Sequence, residues 1–138
     1  MKLKCTSVLI GVLSCAPAFA DTNAEQVQVM NYCHQLSVPL YAAASQYVGL
    51  QGNISPEEAK KKVSATVTSS TEYRSASPQI KQSMENVVTE IAQPTALAAH
   101  QKAMKDRGEN YIGMHRFSWA IKSVGPFTAW CNYNHLKS

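Results

Sequence analysis

The sequence predicts an all-α protein, a small bundle of four to five helices closed by one disulfide bond. Apolar residues recur at helical spacing in several stretches, Ser-Pro pairs of the kind that begin helices occur twice, and alternating β-strand patterns are absent. With 138 residues, 45% of them hydrophobic and 16% charged, the chain has the length and composition of one folded domain. Disordered, collagen-like and repeat proteins are therefore excluded.

The first 20 residues have the three regions of a secretory signal peptide. Lys2 and Lys4 give a basic start, residues 8–13 are nearly all apolar, and small residues stand two apart at Ala18 and Ala20. We expect cleavage after Ala20, which leaves residues 21–138 as a single helical domain in the bacterial periplasm or outside the cell. The apolar run is too short to span a bilayer and no run of about 18 apolar residues follows it, so no transmembrane segment is expected after cleavage.

A second cleavage site competes with Ala20. Residues 12–15 look like the box at which bacterial lipoproteins are cut and then lipidated on a cysteine, here Cys15. Leu13 is bulkier than the residue usual at its position, so a lipid anchor at Cys15 is the less favoured outcome.

The charge of the mature chain predicts no nucleic-acid partner. The sequence has 13 Lys and Arg, 9 Asp and Glu, and a net charge of +4. Removal of Lys2 and Lys4 lowers that charge to +2, which is too small to favour binding to a phosphate backbone.

The cysteines predict one disulfide bond. Cys5 and Cys15 lie before the expected cleavage site, so Cys33 and Cys131 are the only pair that remains. A bond that closes a loop of roughly 100 residues contributes about 4.7 kcal/mol in the chain-entropy model. A redox-active thiol is the alternative, but no Cys-x-x-Cys motif is present to lower a thiol pKa.

The first helix is predicted over residues 24–48. Six residues line one of its faces at spacings of three and four: Val29, Cys33, Leu36, Leu40, Ala43 and Tyr47. Pro39 lies inside this helix and predicts a kink over residues 35–39, because proline removes one backbone donor. Gly49 and Gly52 are expected to end it.

The next two helices are predicted from their first residues. Ser55 followed by Pro56 and then Glu58 is a capping sequence, so a helix is expected to begin at Pro56 and to fray through the Ser- and Thr-rich residues 66–71. That stretch could instead form a short strand or a loop. Ser77 and Pro78 repeat the pattern and predict a third helix over residues 78–92.

The remaining helices are less sharply bounded. Thr95 is expected to cap a fourth helix that stops near residues 106–108. The last segment is predicted to be helical over residues 111–123, to break at Gly125 and Pro126, and to resume over residues 127–134.

The carboxy-terminal helix carries the predicted partner-binding site. Helical spacing places Met114, Phe117, Ile121 and Val124 on one face, taken as the core face. The opposite face then forms an exposed patch with an aromatic anchor and a cationic rim: Ile112, His115, Arg116, Trp119 and Lys122. The alternative is that this helix lies between two layers, or that Trp119 packs on a neighbouring loop.

Catalytic and cofactor sites are not predicted. Asp106, Glu109, His115 and Ser118 are the nearest approach to a catalytic cluster, but no nucleophile elbow or phosphate-binding loop accompanies them. No Cys-x-x-Cys-His haem motif is present, and the four histidines show no zinc-site spacing. Two alternatives stay open. One is a copper site built from two imidazole and two thioether side chains, His100, His115, Met104 and Met114, and the other is a non-covalent haem held by a Met and a His such as Met30 and His135.

These features predict a small exported bacterial protein without enzymatic activity that acts by binding another protein. An inhibitor or immunity protein, or an accessory of an envelope secretion or conjugation system, would suit its compartment and size. A periplasmic carrier of a small ligand or metal is the alternative, and a small hydrolase is less favoured.

Overall fold

The structure, a computed structural model, describes residues 18–135, with side chains from residue 23 onward. Its six helices are α1 (Ala18–Leu50), α2 (Pro56–Thr68), α3 (Thr71–Ser75), α4 (Pro78–Ile91), α5 (Pro94–Asp106) and α6 (Ile112–His135). The predicted all-α bundle with its disulfide bond is confirmed, and the described residues form six helices where four or five were expected. Most of the predicted signal peptide, Cys15 included, lies outside the described residues.

The long helices α1 and α6 form the centre of the bundle and run antiparallel. Cys33 and Cys131 are joined by a disulfide bond of 2.02 Å, as predicted, and their Cα atoms are 5.7 Å apart. One turn further along α1, the hydroxyl oxygens of Ser37 and Thr128 lie 2.8 Å apart. Ser37 also donates a hydrogen bond of 2.7 Å to the Cys33 carbonyl, so the buried Ser37 hydroxyl has its partners.

Helices α2 and α4 cover one side of the α1–α6 pair. Each contributes a stripe of buried apolar residues: Ala59, Val63 and Val67 from α2, and Ile80, Met84, Val87, Val88 and Ile91 from α4. Tyr47 of α1 is also buried among them, and its burial raises the pKa of its phenol. No helix over residues 18–135 has both the length and the apolar character that a membrane span requires.

The capping sequences act as predicted. The Ser55 side chain accepts a hydrogen bond from the Glu58 backbone N–H, and Ser77 does the same for Ile80, so α2 and α4 begin at Pro56 and Pro78. The Ser- and Thr-rich stretch is more ordered than predicted. Helix α2 ends at Thr68, and Ser70 then caps the five-residue helix α3.

The predicted cap of the fourth helix was wrong. Helix α5 begins at Pro94, with Gln93 as its N-cap residue, and Thr95 lies inside the first turn. Proline at the first helical position has the backbone angle that a helix needs, and its missing N–H would have no partner there. Pro94 therefore begins this helix without a side-chain cap from Thr95.

The predicted break at Gly125 and Pro126 was also wrong, because α6 continues through both residues to His135. Proline at this position removes the hydrogen bond to the carbonyl of Lys122. Pro126 and Lys122 are both exposed, so water can reach that side of the helix. Continuity through Pro126 fixes which face of α6 packs on α1.

Candidate binding groove between α1 and α6

The face of α6 that was predicted to be exposed is buried at its two aromatic residues, His115 and Trp119. Trp119 and His115 are each 2% exposed, whereas Phe117 is 69%, Ile121 is 49% and Met114 is 47% exposed. The prediction of Trp119 and His115 as surface contacts was therefore wrong. Trp119 is buried, but against His100 of helix α5 and not on a loop, and α6 does not lie between two layers because Phe117 on its other face is exposed. Ile112, Arg116 and Lys122 do lie at the surface.

Trp119 connects α6 to α5. Its ring centroid lies 5.4 Å from that of His100 in a tilted contact, and the Lys122 Nζ atom lies 5.7 Å from the indole centroid. The indole Nε1 atom is buried and has no hydrogen-bond partner among the described residues. Trp119 is thus a packing residue of the α5–α6 contact.

His115 secures the loop between α5 and α6. Its Nε2 atom lies 2.6 Å from the backbone carbonyl oxygen of Glu109, six residues earlier in the chain. A buried imidazole needs such a partner, because an unpaired polar group inside a protein is costly. This contact places His115 in the structure of the loop instead of on a binding surface.

The side chains of the four residues considered as a catalytic cluster pair with other residues, and within this set only the Glu109 backbone carbonyl contacts His115. Ser118 Oγ lies 2.9 Å from the Nε2 atom of His100, a residue outside that set. Asp106 pairs with Lys102 at 2.7 Å, and Glu109 pairs with Arg107 at 3.2 Å. The Ser118–His100 pair joins residues 18 positions apart on different helices, which no local spacing in the sequence could reveal.

The surroundings of His100 keep its imidazole neutral down to a lower pH than is usual for histidine. Burial lowers the pKa of His100, and the positive charges of Lys122 and Arg107 and the nearby His115 lower it further, against a smaller opposite effect of Glu109. In residues 18–135, no three His, Cys, Asp or Glu side chains lie close enough to hold a metal ion.

A concave surface lies between α1 and α6, on the side of this pair that α2 and α4 leave uncovered. It is an open groove of about 610 Å³. Both helices line it: His34, Tyr41 and Ser45 from α1, and Gly113, Arg116, Phe117, Ala120 and Ile121 from α6. We call this surface the α1–α6 groove. Phe117 and Ile121 form its most exposed apolar wall.

Arg116 marks one end of the groove. A Cβ atom at Gly49 would lie 2.6 Å from a terminal nitrogen of Arg116, so the guanidinium rests directly on the backbone of α1 at that glycine. His34 lies 15 residues earlier in α1 and marks the opposite end. The groove therefore runs along the helices, with the Arg116 guanidinium at one end.

The charge around the groove is one-sided. The sequence has no Asp, Glu, Lys or Arg from residue 26 to residue 56, and α6 contains Arg116 and Lys122 but no acidic residue. The ion pairs in the described part of the chain involve residues of α5 and the following loop, and Arg116 belongs to neither. Both walls thus lack acidic side chains, and Arg116 provides a positive charge without a salt bridge in the described structure.

Comparisons with known proteins give no relative: no family model, no curated protein and no solved structure matches this chain.

Proposed function

We propose that this chain is a small exported bacterial protein that acts by binding another protein, without catalysis, and that the α1–α6 groove is its contact surface. The exposure of Phe117 on the groove wall carries the proposal. A large aromatic side chain beside an apolar concavity is the arrangement found at the centres of protein interfaces. Apolar surface of this kind is costly in water and is reduced when a partner covers it.

The proposed contact differs from the one that the sequence predicted. Arg116 stays in it because it lines the groove, and Ile112 lies at the surface one turn earlier. Lys122 approaches the Trp119 ring near α5, and Trp119 is buried, so neither belongs to the groove. Phe117 takes the role of aromatic anchor that was assigned to Trp119.

Export is supported by two separate features of the chain. The amino-terminal residues have the composition of a cleavable signal peptide, and the Cys33–Cys131 bond suits an oxidising compartment such as the periplasm. Cleavage after Ala20 would remove only the first three residues of α1 as the structure has it. A role as an inhibitor, an immunity protein or an envelope accessory remains consistent with this location.

A carrier of a small ligand is the second candidate, favoured by the size of the groove. Its volume of about 610 Å³ lies within the range of roughly 300–1,000 Å³ that small-molecule sites occupy. Its apolar walls and few polar groups also fit such a site. Its openness favours a protein, because a small ligand there would keep much of its surface in water.

Paired isolation of partners tests the proposed function. The mature protein, tagged at its carboxyl end, would be recovered from the envelope of its native host as wild type, Phe117→Ser and Val27→Ser. Val27 is a matched control because it is 55% exposed on α1 but does not line the groove. We expect the same partner with wild type and Val27→Ser, and loss of that partner with Phe117→Ser.

Controls on folding and export make this test decisive. All three proteins should melt at similar temperatures, because both substitutions are made at exposed positions. Intact-mass analysis should give a chain that begins at Asp21 and lacks two hydrogens. Equal recovery of the partner with Phe117→Ser would contradict the proposed surface, and a full-length chain with reduced thiols would contradict export.

A further inference from the structure

We propose that the α1–α6 groove receives an amphipathic helix of its partner, and that Arg116 pairs with an Asp or Glu side chain at the edge of that helix's apolar face. This inference rests on the proposed function and adds the chemistry of the partner. It follows from the shape of the groove, the exposure of its walls and its one-sided charge.

The shape of the groove fits a helix. Ser45 lies eleven positions after His34, so the α1 wall is about 16 Å long at a helical rise of 1.5 Å per residue. Two antiparallel helices in contact leave a groove on each side, and α2 and α4 occupy the opposite side of this pair. About three turns of a further helix would fill the uncovered side in the same manner.

The exposure of the walls favours a body wider than a small ligand. Phe117 and Ile121 have 69% and 49% of their surface in water, so their outer faces rise above the groove. A helix with its side chains is roughly 10 Å across and can cover those outer faces as well as the groove floor. A single acyl chain or a flat ring lying on the groove floor would leave the outer faces of Phe117 and Ile121 exposed to water.

The charge of the groove selects an acidic helix. Arg116 presents a guanidinium at the Gly49 end, and neither α1 beyond Glu25 nor any part of α6 supplies an acid to neutralise it. Guanidinium groups bind carboxylates through two parallel hydrogen bonds, which fixes orientation as well as sign. A basic helix in the same place would bring like charges together as the groove lost its water.

Site-specific photo-crosslinking tests the occupant directly. Phe117 would be replaced with the photo-crosslinking residue p-benzoylphenylalanine in the native host, with the same replacement at Gln82 on the exposed face of α4 as the control. We expect a cross-link at position 117 and not at position 82. Its attachment site, located by mass spectrometry, should lie in a helical segment of another protein with an acidic residue within about one turn.

Charge reversal then tests the role of Arg116 with the segment so identified. Arg116→Glu should weaken binding by about tenfold or more, and replacing the partner's acid with Arg should restore much of that loss. Lys122→Glu changes the same charge on the same helix but outside the groove, so its effect should be smaller than threefold. The Arg116→Glu effect should also decrease at high salt.

The outcomes separate this inference from the proposed function. A cross-linked polypeptide without a nearby acid, or equal effects of Arg116→Glu and Lys122→Glu, would overturn the acidic helix while leaving protein binding in place. A cross-link to a second copy of this chain would overturn it as well. A product that contains a lipid or another small molecule, or no product specific to position 117, would overturn both.

Discussion

The Oγ atom of Ser118 lies 2.9 Å from the Nε2 atom of His100, and this contact joins α6 to α5 beside the buried ring of Trp119. Helix α5 contributes two buried apolar side chains, Leu97 and Met104, so polar and aromatic contacts form much of its attachment to the bundle. The protonation state of the His100 imidazole therefore affects how strongly α5 is attached to the bundle.

Acidification is expected to destabilise the protein through His100. Its folded pKa lies below the ordinary histidine value of 6.5, since burial and the charges of Lys122 and Arg107 disfavour the imidazolium and Glu109 only partly offsets them. As the pH falls, His100 is therefore protonated in the unfolded chain at a higher pH than in the folded protein. The stability contributed by neutral His100 is present above pH 6.5 and is lost as the pH falls through the lowered folded pKa.

Urea unfolding at several pH values between 7.5 and 5 measures this effect. The unfolding midpoint of the wild type should fall over that interval, and His100→Gln should show a shallower fall, because glutamine does not titrate. His34→Gln is the matched control, since His34 is exposed on α1 and distant in the fold from α5. A pH profile of His100→Gln as steep as that of the wild type would refute the role of His100.

Substitutions at Trp119 should affect stability strongly. Trp119→Ala is expected to cost about 3–5 kcal/mol, because it leaves a cavity between α5 and α6. Trp119→Phe should cost much less, since the ring is largely kept and the indole N–H, which has no partner among the described residues, is removed. Phe117→Ala on the exposed side should change the free energy of unfolding by less than about 0.5 kcal/mol. Chemical denaturation of the three variants measures these free energies. Equally small losses for Trp119→Ala and Phe117→Ala would contradict the prediction.

Short patterns of neighbouring residues were sufficient to predict much of the fold. The Ser-Pro sequences at Ser55 and Ser77 determine where α2 and α4 begin, and each cap is formed within three residues of sequence. The pairing of Cys33 with Cys131 followed from the expected removal of the other two cysteines. These features could be predicted because few alternatives competed with them.

The orientation of α6 could not be predicted in the same way, because it depends on whether the helix continues through Pro126. A continuous helix must present Cys131 to Cys33, and counting back in steps of four from Cys131 reaches Phe127 and Ser123, both buried, and then Trp119. If the helix broke at Pro126, counting from Cys131 could not show which residues before the break face α1. Without that count, helical spacing predicts that α6 packs through Phe117 and Ile121, and both are exposed.

The groove itself had only a partial signal in the sequence. The absence of charged residues from position 26 to position 56, and of acids throughout α6, is visible without a structure. It shows that these two segments differ from the acidic and basic middle of the chain. Which of their apolar residues remain exposed depends on the side that α2 and α4 cover, and that is a property of the tertiary packing.

The disulfide bond should supply a large part of the stability. Replacing both Cys33 and Cys131 with serine removes a link across most of the mature chain, and removal of a native disulfide from a small exported domain typically costs about 2–5 kcal/mol. The nearby Ser37–Thr128 contact, formed by two hydroxyls, is not expected to compensate. Thermal unfolding with and without a reducing agent checks this. The wild type should lose stability on reduction and the double variant should not respond, and a wild type indifferent to reduction would contradict the prediction.

Gly49→Ala should separate binding from stability. A methyl group there would lie 2.6 Å from a terminal nitrogen of Arg116, so the guanidinium must move off the backbone of α1. Because that atom ends a flexible side chain, the displacement costs little, and alanine gains up to about 1 kcal/mol of helix propensity over glycine. We therefore expect unchanged or slightly higher stability, together with weaker binding to the partner segment, since the cation no longer sits at the end of the groove.

Arg116→Gln should weaken binding by itself, and adding Gly49→Ala to it should have almost no further effect, because both changes act through the same guanidinium. Calorimetric titration of the single and double variants measures this coupling, and fully additive losses would show that Gly49 acts on binding by some route other than Arg116.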